Sequence, residues 1–190
     1  MAVLASLLPS RHAGTKYVPW DPSNEFEQWV GSHTTGPIIH KRRGYFAVYE
    51  RHFRAVRASA TPSRPVRMLE IGVQSGGSLE MWKSYFGERS LELHGIDINP
   101  GTARFNRPER NITIHVGSTS DPKFMSKTVA RLPALDIVVD DGSHHSLDIR
   151  RAFVALFPKV TTQGGVYLVE DLHTNCAWHT STRTRLRCET

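Results

Sequence analysis

Beyond residue 65, the chain alternates short apolar runs with stretches in which apolar residues recur every three or four positions. Residues 66–71, 91–96, 112–116, 135–139 and 166–169 read as strands, several without polar interruption, which is the pattern of strands covered on both faces. Residues 77–86 and 122–132 read as helices, and Ile149, Phe153, Leu156 and Phe157 mark the face of another. Strands and helices in alternation predict an α/β domain with a mostly parallel sheet. Upstream, Tyr45, Tyr49, His52, Phe53 and Val56 follow Gly44 at helical steps, so they share one face of an amphipathic helix, which the linker 61–65 ends. Residues 1–38 are rich in Pro, Gly, Ser and His and show only a short helical turn near 25–30, so they read as a lid or arm. The expected division is an arm and helix covering the site over 1–60, the main domain over 61–174 and an atypical tail over 175–190.

With 190 residues and 39% hydrophobic content, one core is the expectation. The net charge is +6, but Arg and Lys are scattered, and their densest runs, Lys41-Arg42-Arg43 and 183–187, read as solvated surface. The only cysteines, Cys176 and Cys188, indicate neither a disulfide framework nor a thiolate metal site and fit a reducing cytoplasm. Residues 1–9 are apolar but too short to span a bilayer and lack a preceding basic residue, so they read as an extension, with no membrane role.

Ligands of parallel sheets bind at the carboxyl ends of the strands, near the switch in strand order. Gly72, Asp97, Asp141 and Glu170 each fall at or just after a strand end. Residues 68–78 form a strand, a glycine turn and a helix start, which suits close backbone approach to a ligand. The spacing G-x-x-x-G-G differs from the dinucleotide fingerprint G-x-G-x-x-G, and Ser78-Leu79 stand where a nucleoside-triphosphate loop needs Lys and Ser/Thr.

With Glu70 two residues ahead of the first glycine, the segment Glu70 to Gly77 resembles the first motif of class I S-adenosylmethionine-dependent methyltransferases, a Rossmann-like fold. The resemblance implies that Gly72, Ser75, Gly76 and Gly77 line the methionine end of S-adenosyl-L-methionine and that Glu70 orients its amino acid portion. Asp97, an acid ending the second strand, suits the two ribose hydroxyls. Gly117-Ser118, with Asp121 shortly after, resembles the loop at the adenine edge, although Asp121 suits a helix cap before Pro122 equally well.

Asp140-Asp141-Gly142-Ser143-His144-His145 follows the fourth predicted strand, and Glu170-Asp171-Leu172-His173 the fifth. Carboxylates converging there repel one another unless a divalent cation or a proton compensates, and oxygen ligands suit Mg²⁺. Together with Gly164-Gly165, these motifs resemble the metal-dependent sugar O-methyltransferases that modify macrolide antibiotics, a group that shares similarity with cephalosporin hydroxylase-like proteins. That resemblance implies Asp141, Glu170 and Asp171 as metal ligands, His144 as general base and Asp140 nearer the cofactor. It also implies a small glycosylated acceptor, with His145 and His173 near the pocket and residues 36–53 covering it.

Class I folds continue past the fifth strand into a helix and an antiparallel pair, whereas residues 175–190 show no alternating apolar pattern. The fold is therefore expected to lack those C-terminal strands, as a truncated or frame-shifted product or a fragment completed by a partner. Its fifth strand is then expected to be an uncovered edge that invites association into a homo-oligomer. An inactive cofactor-binding domain is the first alternative. A nucleic-acid methyltransferase is the second, disfavoured because the fourth strand lacks an Asn/Asp-Pro-Pro-aromatic motif and no RNA-binding module is appended; no nucleic-acid partner is expected.

Overall fold

The computed structural model describes residues 3–6, 21 and 23–172. The expected strands and helices form in the expected order: helix α1 (Glu25–Ser32), α2 (Gly44–Ala58), strand β2 (Val66–Ile71), α3 (Gly77–Phe86), β3 (Leu91–Asp97), β4 (Ile112–Val116), α4 (Pro122–Arg131), β5 (Ile137–Asp140), α5 (Ser146–Leu156) and β6 (Val166–Val169). An additional strand, β1 (Val3–Ser6), opens the chain. The sheet order is β1-β6-β5-β2-β3-β4, and every pairing is parallel.

Local chemistry sets the boundaries. The side chain of Asn24 accepts from the Phe26 and Glu27 amides to start α1, and Asp121 does the same for Lys123 and Phe124 ahead of Pro122 in α4. Helix α4 stops at Arg131 because Pro133 pushes Leu132 into extended backbone, one residue short of the sequence expectation. Leu135 then makes a single parallel bridge to Val160, and β5 proper begins at Ile137.

Side chains alternate between two cores, as a pleated strand requires. Met68, Ile137, Val139, Val166 and Leu168 face the cluster built with Phe26, Tyr49, Phe53 and Trp82 from α1, α2 and α3. Leu69, Ile71, Val138, Tyr167 and Val169 face Met125, Ala152 and Leu156 from α4 and α5. This is a three-layer α/β/α sandwich.

The β6 strand is not an uncovered edge, because Val3–Ser6 pairs in parallel with Val166–Val169 along its full length. The short run at 3–6 lies in a stretch without periodicity, so nothing local announced it as a strand. Residues 173–190, including His173 and both cysteines, lie outside the described residues. No helix among the described residues is long and apolar enough to cross a membrane.

Candidate functional site

Strand order reverses between β2 and β5, and the loops leaving these two strands are pressed together. Gly72 has φ +90°, and a Cβ there would stand 2.1 Å from the Asp141 carbonyl oxygen. A Cβ on Gly77 would come within 2.3 Å of the Ile38 carbonyl oxygen, so the turn is sandwiched between the β5 loop and the N-terminal arm. Asp97 fixes it from the third side: Oδ2 accepts the amides of Val73 and Gln74 at 2.9 and 2.8 Å, and Oδ1 accepts Asn99 at 2.8 Å. Glu70 is fully buried beneath the turn, with Oε2 accepting from Ser78 Oγ at 2.7 Å.

A cavity of about 570 Å³ opens at this point. It is lined by Gly72, Ser75, Gly77, Asp97 and Ser118 on one side and by Asp141, His144 and Asp171 on the other, so most of the residues singled out in the sequence share one space. Glu70, Gly76, Asp140 and Glu170 sit behind its wall, and His145 precedes α5 off the lining. Three cavity residues, Gln74, His144 and Asp171, adopt left-handed backbone at φ 47°, 57° and 52°, a conformation that concentrates where geometry is functionally constrained.

The acidic side is held by groups from far upstream. Lys41 Nζ lies 3.1 Å from Glu70 Oε1, 2.8 Å from Asp141 Oδ2 and 3.0 Å from Glu170 Oε1, with only 2% of its side chain exposed. Tyr49 donates a short hydrogen bond to Glu170 Oε1, and Tyr45 donates to Asp171 Oδ1 at 2.7 Å while accepting the Asp171 amide at 2.8 Å. Arg42 approaches Asp171 at 3.2 Å.

The reading of residues 41–43 as solvated surface is therefore corrected for Lys41, while Arg42 stays largely exposed. All three pair with acids, Arg43 with Glu27, and Lys41 is interior. Sequence reasoning allowed a cation or a proton to relieve the clustered carboxylates and overlooked a lysine; the available signal was a basic residue between the apolar pair Ile38-Ile39 and the aromatic face of α2.

Burial pushes the Glu170 carboxyl up to about 7 even though Lys41 opposes the shift. Burial likewise raises Asp140 to about 7, with the Gly142 amide at 3.3 Å as a partial counterweight. For Lys41, burial alone works against the charge, but Tyr49, Glu170, Glu70 and Asp141 outweigh it and hold the ammonium well above its usual range. His144 Nε2 lies 3.8 Å from Asp141 Oδ1. One donor atom each from Asp141, His144 and Asp171 fall within 4.8 Å of one another, a spacing that admits one metal ion, while the Lys41 and Tyr49 contacts of Glu170 both fall on its Oε1.

Asp148 was missed in the sequence. It accepts from Ser120 Oγ and, at 2.9 Å, from Ser143 Oγ, tying the loop after β4 to the loop after β5 on the cavity wall. Its signal was an acid in the first turn of α5. Asp121 caps α4 and does not line the cavity.

Residues 69–172 match the family described as "Methyltransferase domain". The chain is 42% identical over 133 residues to demethylmacrocin O-methyltransferase of Streptomyces fradiae, covering 66% of this chain and 31% of that protein. It is 39% identical over 133 residues to mycinamicin VI 2''-O-methyltransferase of Micromonospora griseorubida, with the same coverage of 66% and 31%. The chain thus spans about a third of the length of the curated relatives it matches. Among solved structures, MycE methyltransferase from the mycinamycin biosynthetic pathway, in complex with Mg, SAH and mycinamycin VI, aligns at 34% identity and TM-score 0.63 over 82% of this chain and 38% of that one. CmcI with Mg and SAM, at 24% identity and TM-score 0.50 over 71% of this chain and 55% of that one, shares the fold.

Proposed function

Since this chain belongs to the Methyltransferase domain family, we propose that it serves an S-adenosylmethionine-dependent, Mg²⁺-assisted O-methyltransferase that acts on a sugar hydroxyl of a glycosylated natural product. The observation that carries this reading is the shared cavity, where the glycine turn, Asp97 and Ser118 face Asp141, His144 and Asp171. Its acceptor side follows the named activities of the relatives.

The residues present fit both groups. Gly72 and Gly77 line the cavity in a turn packed against the Asp141 and Ile38 carbonyls with no room for a Cβ, and Asp141 and Asp171 offer the oxygen donors that a hard cation prefers. Gly72, Ser75 and Gly77 would hold the methionine end of the donor, Asp97 the ribose and Ser118 the adenine edge, with Glu70, Gly76 and Asp140 behind them shaping the turn. Asp141, Glu170 and Asp171 would hold the cation. When bound, the cation supplies Lewis acidity that makes a sugar hydroxyl easier to deprotonate, and the donor supplies a methyl group on a sulfonium.

The chain's own groups do the rest. His144 takes the hydroxyl proton on its imidazole, and Asp141 at 3.8 Å favours the cation so formed. Tyr45 and Tyr49 hold Asp171 and Glu170 in place for their role. The closed glycine turn and the arm fix donor and acceptor relative to each other, which is the main source of acceleration in a direct transfer. A second reading makes His144 the third ligand in place of Glu170, and the mutual spacing of Asp141, His144 and Asp171 favours it.

The test is transfer of labelled methyl from S-adenosylmethionine to a glycosylated macrolide, with Mg²⁺ or excess EDTA. Transfer that ceases in EDTA is expected, and undiminished turnover there would sink the metal role. Mn²⁺ binding followed by electron paramagnetic resonance separates the two ligand sets: Glu170→Gln weakens it if Glu170 is a ligand, and His144→Gln weakens it if the imidazole is.

A further inference from the structure

Three carboxylates surround the Lys41 ammonium, and they belong to different parts of the site. Glu70 lies under the glycine turn, whereas Asp141 and Glu170 follow β5 and β6. Lys41 itself precedes the region that matches the family, which begins at residue 69. The arm therefore carries its charge to groups on β2 and after β5 and β6, far along the chain.

Stability alone does not account for such a cluster. Burying an ammonium and its partners removes all of them from water, and an apolar replacement of similar volume is often as stable or more so. A geometry in which one buried cation reaches both halves of a ligand site is explained by what it does to that site. Without Lys41, three acids would meet with no compensating charge until a metal arrived, and they would separate or take up protons. With it, the carboxylates stay together, one ammonium standing against three carboxylates.

We propose that Lys41 is the resident counter-cation of the site, a positioning residue that ties Glu70 to Asp141 and Glu170 and so keeps the donor half and the metal half assembled before either ligand binds. The inference rests on the reading of Asp141 and Glu170 as metal-side carboxylates. Trp82 supports the placement, with its ring centroid 5.9 Å from Nζ, and so does the Tyr49 hydroxyl, which shares Glu170 Oε1 with the lysine.

Thermal unfolding of the chain and of Lys41→Met, each in EDTA and in Mg²⁺, tests the idea without any activity assay. In EDTA the variant is expected to melt about 10 °C lower, the shift that loss of one partner in a buried ion cluster brings in a chain of this size. Mg²⁺ should restore most of that loss while moving the parent by only a few degrees. Lys41→Met combined with Glu170→Gln, which removes one unbalanced charge, should melt above the single variant in EDTA, and this comparison decides the matter if the single variant does not fold.

Calorimetry with S-adenosylhomocysteine in EDTA should give about tenfold weaker binding for Lys41→Met, recovering in Mg²⁺. Equal melting of parent and single variant in EDTA, a double variant no better than the single one, or equal S-adenosylhomocysteine affinity in parent and single variant would each overturn the proposal. If the parent itself fails to bind S-adenosylhomocysteine, the methyltransferase reading falls, while the melting comparison still decides the role of Lys41.

Discussion

The two sides of the cavity are built by different means. The glycine-turn side is made of backbone: Gly72 and Gly77 leave no room for a Cβ, and the Val73, Gln74 and Asn99 amides are all satisfied by one neighbouring carboxylate. The acidic side is made of side chains brought from 100 and 129 residues away, with Lys41 reaching Asp141 and Glu170. A backbone-built wall is rigid and tolerates no added atom, whereas a charge-built wall tolerates changes of shape but not of electrostatic balance.

That contrast breaks most severely at Gly72. Gly72→Ala forces a methyl group into the Asp141 carbonyl from a left-handed backbone and is expected to cost about 3 kcal/mol and abolish S-adenosylhomocysteine binding. Denaturant melts and calorimetry check both, and Mg²⁺ should not rescue the variant. Near-parental binding would mean that the turn has slack that the geometry denies.

Tyr49→Phe probes the other wall. It deprives the buried Glu170 of a donor and is expected to cost about 2 kcal/mol in EDTA, with most of the loss recovered by Mg²⁺. An equal loss with and without the ion would show that the lost hydrogen bond alone, and not charge balance, sets the cost. Asp121→Ala serves as the control outside both walls: loss of the α4 cap should cost about 1 kcal/mol and leave S-adenosylhomocysteine affinity unchanged. Weakened binding would return Asp121 to the adenine edge.

The smallest effect is expected at the sheet edge beyond the turn, where His115 on β4 stacks with His94. Burial pushes its imidazole down from 6.5 to about 4, with His94 and Arg131 adding to the shift. The unfolded chain then binds a proton that the folded chain refuses, so stability from this site is complete above about pH 6.5 and is lost as pH falls towards 4. His115→Leu should flatten that decline in melting temperature, and an unchanged slope would assign the acid sensitivity elsewhere.

Legibility in the sequence divided along the same line. The strands, their order of appearance, the glycine turn and Asp97 were readable because each depends on neighbours within a few residues: apolar runs, a missing Cβ, an acid ending a strand. Asp141, His144 and Asp171 were readable because parallel strands deliver their carboxyl ends to one place. Lys41 was not, since its environment exists only after the arm has folded back over loops far along the chain. The β1 strand was hidden for another reason, because four residues without alternation or flanking turn chemistry carry no periodic signal.

The left-handed conformations of His144 and Asp171 carry a consequence for engineering. Holding each of these side chains at positive φ costs about 1 kcal/mol relative to glycine. Selection for heat resistance alone would therefore drive positions 144 and 171 towards Gly and yield hardier proteins stripped of their imidazole and one carboxylate. A useful library would leave those two codons fixed and seek robustness on the far helices instead.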